Sequence, residues 1–162
     1  MYFNLFPQTL YTLDDGKNVK LVRNILLRAV INEDIRSNRA LYDEYDVLDG
    51  ETPEIVADKF YQNPLLHWII LHTNEILDPR FDWPMSYYNL IQYCNSKYAN
   101  VNATHHYENS DGYVVNSTAP FATAITNLIY EDRLNETKRR IKILRPEFVS
   151  AIINDFSTKI KL

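Results

Sequence analysis

Two proline-started helices behind a single glycine turn constrain this chain more than any other feature. Asp49-Gly50 supplies a turn in which glycine tolerates positive φ. Thr52 stands as an N-cap ahead of Pro53, which occupies the first helical position, where its missing N–H costs nothing. Asn63-Pro64 repeats the device before Leu65–Thr73, Asn74 is expected as a left-handed stop, and Asp78-Pro79 ends the unit. Before the turn, residues 41–48 alternate as a strand does. Leu41, Asp43, Tyr45 and Val47 share one face, and Tyr42, Glu44, Asp46 and Leu48 share the other. The expected module is strand, helix, helix. After Trp83-Pro84, Ser86 caps a further run in which Tyr87, Leu90, Ile91, Cys94 and Tyr98 fall at helical spacing, which predicts a helix over about 86–97.

The flanks are less regular. MYFNLFPQTLY is apolar and aromatic but ends in the polar turn Asp14-Asp15-Gly16, a greasy arm that must dock on something. Val19 to Ile31 has apolar residues at both helical offsets and is expected as a helix with a broad buried face, although its β-branched content also suits a strand. Asn32 to Ala40 reads as a connector. Ala103–Asn109 and Tyr113–Ser117 flank Ser110-Asp111-Gly112, a hairpin signal. Residues 118–124 read as a loop. Leu128–Leu134 and Arg139–Leu144 read as a second hairpin, with one continuous helix as the rival. Pro146 then starts a last helix striped by Val149, Ile152, Ile153, Phe156 and Ile160.

Charge is unevenly spread. Residues 133–162 carry eight Lys/Arg and three Asp/Glu, a net of +5, which leaves −9 on the rest of a chain whose total is −4. Residues 43–82 hold ten carboxylates against Lys59 and Arg80, so the best-defined module repels phosphate and nucleic acid is disfavoured as a partner. Twelve tyrosines suit wide contact surfaces. A basic-then-apolar leader and a run of about 18 apolar residues are both missing, so neither signal-peptide export nor membrane spanning is expected. Cys94, on an apolar helical stripe without a polar neighbour, reads as a buried thiol.

Site chemistry is sparse. His105-His106 with Glu108 suggests a metal, but adjacent residues on a strand point to opposite faces, so the two His are not expected to converge on one ion. His67 and His72, five apart on a helix, also miss a common face. Three scattered glycines form no phosphate loop. Trp68 and Trp83 would make a sugar-stacking platform only if exposed, and Trp68 sits in a helix apolar nearly all round. No catalytic, cofactor or metal residues are assigned, and no cofactor is expected.

The strand, the Gly50–Thr52 turn, Ile55 to Ala57, Asn63-Pro64, Trp68, Asn74 and Asp78-Pro79 together resemble the LysM module. The predicted helix after Ser86 departs from that module, which closes with a strand. With that helix, the segments Asp82-Trp83-Pro84-Met85-Ser86, His105-His106-Tyr107-Glu108 and Asn135–Leu144 resemble the baseplate wedge proteins of contractile-tailed (myovirus) bacteriophages, over roughly Leu41 to Ile160. The fold expected is α+β, with a LysM-like core module followed by a helix, one or two β-hairpins and a C-terminal amphipathic helix. Three segments are expected, an N-terminal arm and helix over 1–40, the module with its added helix over 41–98, and a hairpin region with the last helix over 99–162.

The wedge resemblance implies a non-enzymatic structural subunit of the virion tail baseplate, made and assembled in the host cytoplasm. Its implied partners are the wedge core-bundle subunits, the sheath-initiating wedge subunit and the neighbouring wedge, with no nucleic acid and no membrane. The LysM likeness alone implies a glycan (peptidoglycan) binding module instead. For the wedge role, Tyr2, Phe3, Leu5 and Phe6 of the arm and Phe148, Ile152, Phe156 and Ile160 of the last helix are expected to bury apolar surface on other subunits, since a short aromatic arm cannot cover itself.

Overall fold

The computed structural model describes residues 2–12, 16–27, 31 and 33–160. In chain order the elements are β1 (Gln8–Thr12), β2 (Val19–Arg23), α1 (Glu33–Ser37), β3 (Tyr42–Asp46), α2 (Pro53–Tyr61), α3 (His67–Thr73), α4 (Pro79–Asp82), α5 (Tyr87–Lys97), β4 (Thr104–Glu108), β5 (Val114–Val115), β6 (Thr123–Thr126), α6 (Asn127–Glu136), β7 (Arg140–Leu144) and α7 (Pro146–Lys159). The class is α+β, as expected. Two compact units result, neither continuous in sequence. The first comprises Met1–Tyr45, Thr52–Leu77 and Ile141–Leu162, and the second Asp46–Glu51 and Asp78–Arg140.

In the first unit the local signals act as read. Thr52 Oγ1 accepts from the Ile55 N–H to cap α2, and Asn63 Oδ1 accepts from Leu65 N–H at the 3-10 turn leading into α3. α2 buries Val56 and Ala57, and α3 buries Trp68, Ile69 and Ile70. Pro146 starts α7, whose stripe Val149, Ile152 and Phe156 joins Phe6, Trp68, Ile69, Leu144 and Ile160 in one apolar core. β3 does not stand alone. β7 pairs with it in a two-stranded sheet, with Arg145 N–H donating to Leu41 C=O at 2.9 Å. A strand from about a hundred residues later therefore lies beside β3.

Four local expectations are corrected. Val19–Arg23 is a strand, not the start of a helix, and pairs antiparallel with β1 in the register Gln8↔Arg23 to Thr12↔Val19. β-branched residues at Val19 and Val22 suit that pairing; residues 28–30 lie outside the described part. The connector holds the short helix α1. Asn74 keeps a right-handed backbone, and Glu75 takes the left-handed position at φ 57. The Asn74 amide bridges instead, donating to Ile70 C=O at 2.9 Å and Lys142 C=O at 2.8 Å and accepting from Lys142 N–H at 2.7 Å, which fastens α3 to β7. Asn127–Glu136 is a helix, not a hairpin arm. Thr126 Oγ1 caps it by accepting from Ile129 N–H, and the N–H groups of Thr137 and Lys138 turn back onto Arg133 and Asn135 C=O, which ends a helix. Ile141, Ile143 and Leu144 are thereby released to bury themselves beside β3.

In the second unit α5 forms where Ser86 predicts it, with Ser86 Oγ accepting from Asn89 N–H and Leu90 and Cys94 fully buried. β4 is central in the antiparallel order β5-β4-β6. Its hairpin to β5 turns at Gly112, whose φ of 81 favours glycine. Asp78 caps α4 by accepting from Arg80 N–H.

Because Phe156 is 1% exposed at the centre of the first unit's core, Phe156→Ala is expected to cost about 3–5 kcal/mol in urea unfolding. Phe3→Ala, at 48% exposure, should cost under about 1 kcal/mol.

Candidate interaction surfaces

The residues expected to attach to partners pack first on one another. Tyr2 lies 5.0 Å from Phe6, 5.2 Å from Trp68 and 5.5 Å from Phe156 between ring centroids, and its hydroxyl is 3.2 Å from His72 Nε2. Phe156 stands 4.9 Å from Trp68. Phe6, Ile152, Phe156 and Ile160 are buried, and Tyr2, Leu5 and Phe148 are half-buried against the same cluster. Phe3 is the exposed member of the arm. Burial holds the Tyr2 hydroxyl above its ordinary pKa.

A run of exposed apolar groups follows the arm, alongside others such as Leu77 and Phe121 elsewhere in the chain. Among the residues of β1 and β2 only Val22 is even half-buried, and Leu10 and Leu21 face each other across the ladder at 70% and 59% exposure. Ile25 and Leu26 follow, Leu26 at 92% exposure. The arm was legible in the sequence and the hairpin was not, although Asp14-Asp15-Gly16 between two β-prone runs was a usable signal.

In the second unit the motif residues form a clasp. Asn135 uses its whole amide on Met85, with Oδ1 accepting from Met85 N–H at 2.7 Å and Nδ2 donating to Met85 C=O at 2.9 Å. Trp83 Nε1 donates to Glu51 C=O at 2.8 Å, Tyr87 N–H donates to Asp49 Oδ1 at 2.8 Å, and Arg139 donates to Glu136 and to Val47 C=O. Trp68 and Trp83 are both buried, so neither ring offers a face to a sugar.

The two adjacent histidines touch each other, although they are not placed with a third ligand around one ion. β4 and β6 pair Thr104↔Thr126 and His106↔Ile125, so His105 is an extra residue in a β-bulge and the strict alternation of faces fails. His105 Nδ1 lies 2.8 Å from His106 Nδ1, one donating and the other accepting, and His106 Nε2 is 2.9 Å from Glu108 Oε1. Arg133 clamps Glu108 at 2.7 and 2.8 Å, and His105 stacks on Tyr130 at 3.9 Å. Among the described residues no group of three or more His, Cys, Asp and Glu is placed to hold a metal. The nearby Glu131 is pushed up by burial, but hydrogen bonds from Lys97 Nζ (2.7 Å) and Tyr98 Oη (2.6 Å) outweigh that and hold it below the ordinary 4.5. The bond to Glu131 raises Tyr98, and burial followed by the Glu131 charge raises the Cys94 thiol. A polar cavity of 310 Å³ in the first unit is lined by Glu33 and Glu75, both paired with Arg36, and by Lys142, so two carboxylates stand against two cations.

Because Glu131 is depressed in the folded chain, its contribution is complete above the unfolded value near 4.5 and is lost as pH falls through the lower folded value. Glu131→Gln should therefore flatten the acid limb of a stability-against-pH curve, read by urea unfolding at pH steps below about 5. An unchanged limb would contradict this assignment.

Among the described residues, exposed apolar side chains of β1 and β2 and the polar clasp of the second unit are the features that contact with other proteins would use. No helix among the described residues is long and apolar enough to cross a membrane. The chain belongs to the family described as base plate wedge protein 53, whose model matches residues 1–119. It is a structural protein of the bacteriophage tail baseplate, and its interactions are with other baseplate proteins. No curated protein matches the chain.

Proposed function

We propose that this chain is a wedge subunit of a contractile-tail baseplate that binds other wedge subunits and clamps neighbouring wedges together during assembly in the host cytoplasm. Its proposed partners are the wedge core-bundle subunits, the sheath-initiating wedge subunit and the adjacent wedge. The observation that carries the reading is the apolar hairpin, set in water on a segment whose root is held by the chain's own aromatic core. Phe3 adds exposed surface at that root. Tyr2, Leu5, Phe6 and the α7 residues Phe148, Ile152 and Phe156, with Ile160, serve the same attachment by fixing its base. In this division of labour residues 1–40 attach, residues 41–98 stiffen, and residues 99–162 supply further contact and the returning strand.

A second attachment made through the same chain has a raised effective concentration once the first is made. The basic 133–162 region and the acidic 43–82 region would orient approach more than they add affinity, an effect that salt screens.

Gradient sedimentation of tail-assembly intermediates tests the role. With the protein absent, single wedges are expected to accumulate and complete baseplates to be lost; complete baseplates in its absence would refute the clamp. Calorimetric titration of the free protein with N-acetylglucosamine oligomers is expected to show no binding heat, since Trp68 and Trp83 are buried. A micromolar dissociation constant would put glycan recognition first.

A further inference from the structure

We propose that the outer edge of β1 receives an extended strand from a different baseplate subunit, so that attachment proceeds by sheet extension. This rests on the wedge-subunit reading and names its mode of contact. The register identifies the open groups. Asn24 N–H donates to Pro7 C=O at 2.9 Å, and Gln8↔Arg23 through Thr12↔Val19 continue in the same register. Hydrogen-bonded pairs alternate with non-bonded ones in an antiparallel ladder. Thr9↔Val22 and Tyr11↔Lys20 are therefore bonded pairs, and Gln8 and Leu10 turn their N–H and C=O groups away from β2. Among the described residues β1 has no strand on that side.

The two edges of the hairpin differ. β2 carries Lys20 and Arg23, with Lys17 just ahead of it, whereas Gln8–Thr12 carries no charge. Charged residues, lysine above all, guard natural sheet edges against added strands. β2 is guarded and β1 is not. The side-chain layer also calls for cover, because Leu10, Leu21 and Val19 lie on one face and Tyr11 on the other, all exposed. A two-stranded hairpin with both faces in water is marginal, and a third strand with an apolar cover stabilises it.

Charge and area select the occupant. Lys17 and Lys20 favour a partner segment that alternates apolar residues and carries carboxylates on its flank. β1 paired with β1 of a second copy would set five residues against five, short of the roughly 1,200 Å² that a stable interface covers. It would also join two chains of net charge −4 and leave β2 and Leu26 in water. A different subunit that adds a strand to β1 and lays apolar surface on the hairpin covers all of it.

Amide hydrogen exchange on the full chain, free and within wedges assembled from the phage's other wedge proteins, tests this. In the free chain Gln8 and Leu10 should exchange quickly while Thr9 and Tyr11 are slowed by the β2 ladder. In the wedge, Gln8 and Leu10 should slow by about tenfold or more. Wedges that contain the chain but leave those two amides as fast as before would overturn the inference and keep the wedge role. A chain that never enters wedges would overturn both. Concentration-dependent protection in the free chain, with a dimer in sedimentation, would overturn it in favour of a second copy. Leu10→Lys, which guards the edge, is expected to lower incorporation while Thr9 and Tyr11 stay protected; full incorporation would count against the inference.

Discussion

The contact among Tyr2, Phe6, Trp68 and Phe156 carries the architecture of the first unit. These rings come from the start of the chain, from α3 and from α7, and centroid separations of 4.9 to 6.3 Å put them in edge and tilted packing. Full burial of one such side chain contributes roughly 1.5–3 kcal/mol, and a well-placed aromatic pair adds about 0.5–1.5 kcal/mol. Without α7 the arm would lose Phe156 and keep Trp68 and His72 of α3. Without the arm, Trp68 and Phe156 lose part of their cover. The hairpin that follows Pro7 inherits its position from this cluster, with Arg23 Nη1 also donating to Phe6 C=O at 2.7 Å.

α7 reaches that position only because β7 comes back to β3. The strand is preceded by α6, so the residues that carry the wedge resemblance, Asp82–Ser86 and Asn135–Leu144, are largely scaffolding. Asn135 holds the backbone of Met85, and Arg139 holds that of Val47. Buried polar groups that are paired in this way specify one arrangement. The hairpin residues Leu10, Tyr11, Val19 and Leu21 are among the exposed apolar groups of the surface.

The sequence was most informative where the determinants are local. Thr52-Pro53, Asn63-Pro64, Ser86 and Pro146 each act within a turn of their own position, and each starts a helix where read. Gly112 turned the hairpin it signalled. Errors came where a distant partner decided the outcome. Val19–Arg23 fits a helical stripe as well as a strand until Gln8–Thr12 lies beside it. Arg140–Leu144 looked like the second arm of a hairpin because its true partner, β3, is separated from it by the whole second unit. One extra residue at His105 reversed the face on which a histidine falls, and a bulge leaves no mark in a two-residue alternation. The arm residues Tyr2, Leu5 and Phe6 pack within the chain's own aromatic cluster, a partner that composition does not name.

The central claim is that the N-terminal segment is rooted in its own chain and offers its hairpin outward. A density map of the assembled wedge, resolved to side chains, measures this directly. The account predicts Tyr2 and Phe6 still seated against Trp68 and Phe156 in the assembly, with foreign backbone alongside β1. Tyr2 and Phe6 withdrawn from that core and seated in a neighbouring subunit, with the β1 edge left in solvent, would contradict it.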